Sequence, residues 1–169
     1  IINRVEIMSI QIDTVRISGF RGISNIEITL QRVTVLLGQN NAGKTSVIKA
    51  LQLAMGDYSR YLSDEDFHIG EDEKRQEVIT VDLRFIAVCD GTRAKEFSES
   101  WQQVFGDRIQ SEPDGSQFVA IRTVAKPDRV KGGYTLDRFH LDAWPDRVGW
   151  QDVRINNKNR LSKRFESVP

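Results

Sequence analysis

A chain of 169 residues, 39% of them hydrophobic, can bury one real core and is too short for two domains to be expected. Lysine plus arginine equals aspartate plus glutamate at 24 each, which excludes a chain-wide field of the kind that marks nucleic-acid and membrane binders. The single cysteine, Cys89, excludes an intrachain disulfide. With neither a signal peptide nor an apolar run of membrane-spanning length, the expected setting is reducing and cytoplasmic, with no membrane partner.

Met8 opens MSIQIDT in the manner of a natural start, so residues 1–13 are read as a leader or added segment plus the start of the first strand. The stretch VRISGFRGISNIEITL then alternates apolar and polar residues on both sides of Gly22, with Val15 and Ile17 before it and Ile26, Ile28 and Leu30 after it. That pattern predicts a two-stranded antiparallel ribbon. RVTVLLG is a β-branched run without clean alternation, as expected for a strand buried on both faces, and it ends on Gly38. From Lys44 to Met55 apolar residues occupy most faces of a helical wheel, and Gly56 makes a suitable stop, which predicts a central helix.

YLSDEDFHIGEDEKRQ is polar and irregular and reads as a connection over the surface. Beyond it, Ile79, Val81, Leu83, Phe85 and Ala87 fall on one strand face, with Thr80, Asp82 and Arg84 opposite, the sign of a half-exposed antiparallel strand. Cys89 closes this run as a small buried hydrophobe. Phe97, Trp101, Val104 and Phe105 have the spacing of a short amphipathic helix closed by Gly106. QFVAIRTVA and YTLDRFHLD follow as two strands of a hairpin through KPDRVKGG. The tail RINNKNRLSKR carries five bases and no acid.

One stretch carries chemistry. Gly38-Gln39-Asn40-Asn41-Ala42-Gly43-Lys44-Thr45 fits G-x-x-x-x-G-K-[ST] between an expected strand and an expected helix, the context this phosphate-binding loop requires. Small residues let backbone N–H groups converge on phosphate oxygens, and the following helix presents its unsatisfied N–H groups and positive dipole end to the same anion. Gly38 and Gly43 permit unusual backbone angles, Lys44 can reach the β- and γ-phosphates, and the Thr45 hydroxyl suits Mg²⁺. A chance match in a chain this long is on the order of one in a hundred, and a mere helix-capping turn has no use for Lys44 and Thr45 in register. No guanine-reading N/T-K-x-D sequence follows, so ATP is the expected nucleotide.

Hydrolysis needs an acid at the end of a second buried strand. The nearest candidate, Asp90 in FIAVCD, belongs to a strand whose alternation speaks against that role, and no Ser-Gly-Gly signature loop is present. The chain therefore reads as the N-terminal portion of a larger ATPase.

VRISGFRGISNIEITL followed by VTVLLGQNNAGKTSVIKALQLAMG resembles the start of an SMC/RecF-type ABC ATPase head. The Asn-Asn-Ala-Gly-Lys-Thr-Ser form, LSDEDF and EVITVDLRF are most similar to the OLD (overcoming lysogenisation defect) family of ATP-dependent endonucleases, over Thr14 to Ala87. The resemblance implies an α/β P-loop NTPase fold: the N-terminal part of an ABC/SMC-type head, residues 14–169, with an antiparallel ribbon packed beside the Walker A strand and helix. It also implies ATP and Mg²⁺ as cofactors, self-association through the head, DNA as the longer protein's partner, and a metal-dependent Toprim nuclease domain whose acids are not in this chain. Carried over by residue, Asn40 to Thr45 wrap the phosphates, Thr45 binds Mg²⁺, and Gln39 and Ser46 flank the cradle. Arg21 in GFRG matches a family arginine near nucleotide or DNA, although an exposed sheet-edge arginine explains it equally well.

Other residues are expected to be structural. Asp64, Asp66 and His68 alternate, but they miss the calcium-loop template because His68 stands where Asp or Asn is wanted and Gly70 comes a position late. His140 has no neighbouring Cys or second His, and Trp144 and Trp150 in WPDRVGW are expected to pack under a loop. The leading function is ATP binding in an ATPase that regulates DNA cleavage. The alternative is a nucleotide-gated DNA clamp or assembly subunit without nuclease activity, and a small-substrate P-loop kinase is a distant third.

Overall fold

The structure, a computed structural model, describes residues 8–39, 43–56 and 62–161. Two strands, β1 (Met8–Phe20) and β2 (Ile23–Thr29), form the expected ribbon, with Val15 opposite Ile28 and Ile17 opposite Ile26. The helix α1 (Lys44–Met55) begins and ends where the sequence places it, and Gly56 closes it in the left-handed conformation at φ 100°. Then follow β3 (Ile79–Cys89), β4 (Thr92–Arg93), α2 (Glu99–Phe105), β5 (Gln110–Ser111), β6 (Gln117–Pro127) and β7 (Tyr134–His140).

The strands make one sheet in the order β2-β1-β3-β6, and β5 and β7 share the outer edge of β6. Every pairing is antiparallel. One sheet face, carrying Val15, Ile17, Val81, Leu83 and Ala125, packs against Val47, Ala50, Leu53 and Ala54 of α1. Further along the same face, Ala87 and Val119 meet Phe97 and Phe105 around α2. The architecture thus mixes α and β elements, with helices on one side of an antiparallel sheet, rather than the parallel α/β arrangement.

The opposite face is covered as well, which the alternation of β3 does not reveal. Thr80 and Asp82 are buried rather than exposed. Register partners place Glu27 of β2 beside Arg16 of β1, Arg16 beside Asp82 of β3, and Asp82 beside Arg122 of β6. Four side chains of alternating charge therefore run across four strands. Opposite charges directly across a ladder attract, and burial removes the water that would screen them.

Residues 144–155 form a strap over this row. Arg16 Nη1 donates to the Pro145 carbonyl at 2.7 Å, and Arg122 donates to the carbonyls of Trp150 and Val153 at 2.6 and 3.1 Å. The Arg16 guanidinium lies 4.2 Å from the Trp144 ring centre, and Trp150 is buried with its indole N–H donating to Asn25 Oδ1. Both tryptophans pack beneath a loop, as expected.

Five further expectations need correction. Residues 32–38 form no strand, and Val33, Val35 and Leu37 are 77%, 70% and 88% exposed. A strand meant for burial on both faces requires neighbours on both sides, and no described strand lies beside this one. For the same reason α1 is not central: Ile48 and Met55 are about half exposed on its uncovered side. The connection after residue 61 is not purely superficial, because Asp66 and Phe67 are buried, and Phe67 bridges to Phe20. Cys89 is half-buried, and Phe97 precedes α2 rather than lying in it.

Candidate nucleotide-binding site

The candidate site is built where the irregular chain after β2 leads towards the start of α1. Gly43 precedes the helix at φ 82°, a left-handed conformation that an L side chain adopts only with strain. A Cβ at Gly43 would have one neighbour, Ile23 Cγ1 at 3.9 Å, so the tip of the β1–β2 hairpin borders the loop. Neither an acidic residue in the first turn nor a capping side chain answers the helix N-terminus. The terminal amides and the positive end of the helix dipole are left for an anion.

Lys44 turns its ammonium onto the carbonyl oxygens of Gly38 and Gln39, the second at 3.1 Å. The lysine thereby closes the loop on itself, with its charge at the loop and away from the core. Thr45 is exposed, so its hydroxyl is accessible, and Ser46 is half-buried. Asn40, Asn41 and Ala42 lie outside the described residues. The donor set present, one ammonium, one hydroxyl and unanswered helix amides, fits a phosphate chain with its Mg²⁺ ion.

Arg21, in the turn between β1 and β2, engages the 63–68 segment. Its own backbone is left-handed at φ 51°, and its Nε donates to buried Asp66 Oδ1 at 2.7 Å. The Arg21 N–H donates to the Asp66 carbonyl at 2.8 Å, and His68 Nδ1 donates to the Arg21 carbonyl at 2.6 Å. Arg21 is therefore clamped by the 63–68 segment, not a free edge arginine. Ser63 N–H donates to Asp66 Oδ2 at 3.0 Å. The S-x-x-D spacing that produces this contact is legible in LSDED and would have marked Asp66 as an organising residue.

The alternating residues Asp64, Asp66 and His68 turn to different partners. Asp64 accepts from Tyr134, Asp66 from Arg21, and His68 meets a carbonyl. No group of three His, Cys, Asp or Glu side chains among the described residues is arranged to hold a metal ion. Asp90 occupies the tight turn between β3 and β4 at φ 48°. His140 lies 3.6 Å from Asp142. Among the described residues no helix is long and apolar enough to cross a membrane.

At the far end of α1, Arg138 of β7 donates through Nε to the Ala54 carbonyl at 3.0 Å and through Nη2 to the Leu53 carbonyl at 2.9 Å. No local sequence signal announces this contact.

Comparison with known proteins gives several matches. A family model described as a protein of unknown function (DUF2813) matches residues 10–152. The chain is 25% identical over 150 residues to the Old nuclease of Escherichia phage P2, covering 89% of this chain and 24% of that protein. It is 32% identical over 136 residues to the DNA double-strand break repair Rad50 ATPase of Methanopyrus kandleri, covering 76% of this chain and 15% of that protein. It therefore spans about a quarter or less of these curated relatives. Among solved structures, a chain from work on ATP-driven dimerization and DNA stimulated activation of SMC ATPases superposes with TM-score 0.51 at 18% identity, covering 83% of this chain and 75% of that chain. That likeness is one of fold. Together these relatives bear out the resemblance to the ATPase portion of OLD- and SMC-type proteins.

Proposed function

The chain belongs to the DUF2813 family, and we propose that it is the ATP-binding, N-terminal part of an OLD- or SMC-like ATPase. The observation that carries this reading is the start of α1: left-handed Gly43, then Lys44 directed to the loop, then exposed Thr45, with no acidic residue in the helix's own first turn. Gly38 to Ser46 form the phosphate cradle, Lys44 neutralises phosphate oxygens and Thr45 ligates Mg²⁺. Arg21, clamped by Asp66, fixes the hairpin turn whose Ile23 borders Gly43. A bound Mg·ATP would supply a cleavable phosphoanhydride and a concentrated negative charge, held by Lys44, Thr45 and the first amides of α1. We assign the protein a cytoplasmic setting, self-association through the head, and control of DNA cleavage in a longer polypeptide.

Asp90 favours slow turnover over rapid hydrolysis. Its place in a two-strand hairpin turn differs from the end of a buried parallel strand, where a Mg²⁺-holding acid belongs. The second reading, a nucleotide-gated clamp without nuclease action, rests on the same residue. Calorimetric titration with Mg·ATP and Mg·GTP, paired with steady-state phosphate release, tests the proposal. ATP binding with slow release supports it. Absence of ATP binding overturns it, and release at a few per second would return Asp90 to consideration.

A further inference from the structure

We infer that Arg138 is a positioning residue for the phosphate-binding end of α1, acting through the helix from its opposite terminus. The inference rests on the nucleotide-site reading above.

The last carbonyls of a helix have no intrahelical donors, and a cation there also complements the helix dipole. α1 has no basic residue in its own last turn, and Gly56 answers part of the end with its backbone N–H. Gly56 reaches the Gln52 and Leu53 carbonyls, and Arg138 of the neighbouring strand adds a second donor to Leu53 and the donor to Ala54, two separate nitrogens on two successive carbonyls. A two-point guanidinium contact fixes direction as well as distance. α1 packs on one face only, with Ile48 and Met55 exposed on the other, so side-chain packing restrains its axial position from one side. Twelve residues make a rod of about 18 Å, and a displacement at one end of a rod is a displacement at the other. The fork at Leu53 and Ala54 thereby sets where the amides after Gly43 stand.

Arg138 is also tied from behind. Its carbonyl accepts from the Leu161 N–H at 2.8 Å, Arg160 bridges to Phe139, and the Arg160 side chain pairs with Asp137. One residue of β7 thus holds the phosphate-binding helix by its side chain and the 157–161 segment by its backbone. Occupation of the cradle should tighten both.

The test compares Mg·ATP affinity of the wild type with Arg138→Ala, Arg138→Lys and Val119→Ala. Val119 is buried against Phe97 and Phe105, away from α1, and its truncation controls for a general loss of stability. Arg138→Ala should weaken binding by about fivefold or more, Arg138→Lys should restore part of it, and Val119→Ala should bind like wild type despite a lower melting temperature. Hydrogen exchange at the Leu161 amide in the wild type should slow when Mg·ATP is added. Arg138→Ala binding within about twofold of wild type, or Val119→Ala weakening equally, overturns the inference. If Arg138→Ala does not fold, exchange at Leu161 decides, and an unchanged rate overturns it. A wild type that binds no ATP overturns the nucleotide site itself. A wild type that binds while Arg138 is indifferent overturns this inference alone.

Discussion

Asp82 and Arg122, partners in the register of β3 and β6, meet through two 2.7 Å hydrogen bonds with both side chains almost fully buried. Removing one member leaves the other charged and without its counter-charge, which costs about 3–5 kcal/mol, whereas replacing both with apolar residues avoids the orphan charge. Asp82→Ala should therefore lower the urea midpoint more than Asp82→Leu combined with Arg122→Met. The double variant should recover only part of the loss, because the Trp150 and Val153 carbonyls lose their donor. A single variant within about 1 kcal/mol of wild type would show that the row contributes little.

Lys44→Ala should weaken Mg·ATP binding roughly ten- to hundredfold, the range of a lost charge-assisted bond. The ammonium contacts loop carbonyls and no core side chain, so circular dichroism should be unchanged. Retained affinity in a folded variant would refute the assignment of the loop.

Tyr134 provides a pH test. Its hydroxyl donates to Asp64 at 2.6 Å, and this bond to a carboxylate raises the phenol above its ordinary value of 10.0. A folded value above the unfolded one means that the contact stabilises below pH 10 and that its contribution is lost as pH rises through the folded value. Tyrosinate absorbance, subtracted from that of Tyr134→Phe, should show a late-titrating group. Asp64→Asn should move it earlier, and superimposable curves for wild type and Asp64→Asn would sink the assignment.

The basic tail is predicted to act as a connector. Arg160 pairs with Asp137, Asn159 is buried with its amide on Asp142, and the segment lies along β7. Charge reversal at Lys158, Arg160 and Lys163, the last outside the described residues, should leave the longer protein's DNA affinity and salt slope unaltered. A slope flattened by about one or more would mark a phosphate contact instead.

What the sequence made legible was local. Alternation around Gly22 fixed the ribbon, apolar spacing with Gly56 fixed both ends of α1, and Pro127 through Gly133 fixed the last hairpin. Each of these is encoded within about a dozen residues. The charged row was not legible, because Glu27, Arg16, Asp82 and Arg122 become neighbours only when four strands align. Residues 32–38 misled for a complementary reason: β-branched composition states a preference for a strand, but a strand also needs partners to pair with. At the site, the glycine and lysine spacing pointed to Gly43 and Lys44, while the Arg21–Asp66 clamp and the reach of Arg138 depend on tertiary placement.

The strap has a consequence for biosynthesis. Arg16 belongs to the first strand, yet its carbonyl acceptor at Pro145 lies 129 residues later, and those of Arg122 wait until Trp150 and Val153. Chains leave the ribosome N-terminus first, and contacts of such separation form late. A nascent chain that has not yet released Val153 thus holds two guanidinium groups against a sheet face that cannot close over them. For that interval the growing polypeptide is a natural client for chaperones and proteases, and the emergence of residues 144–153 ends it.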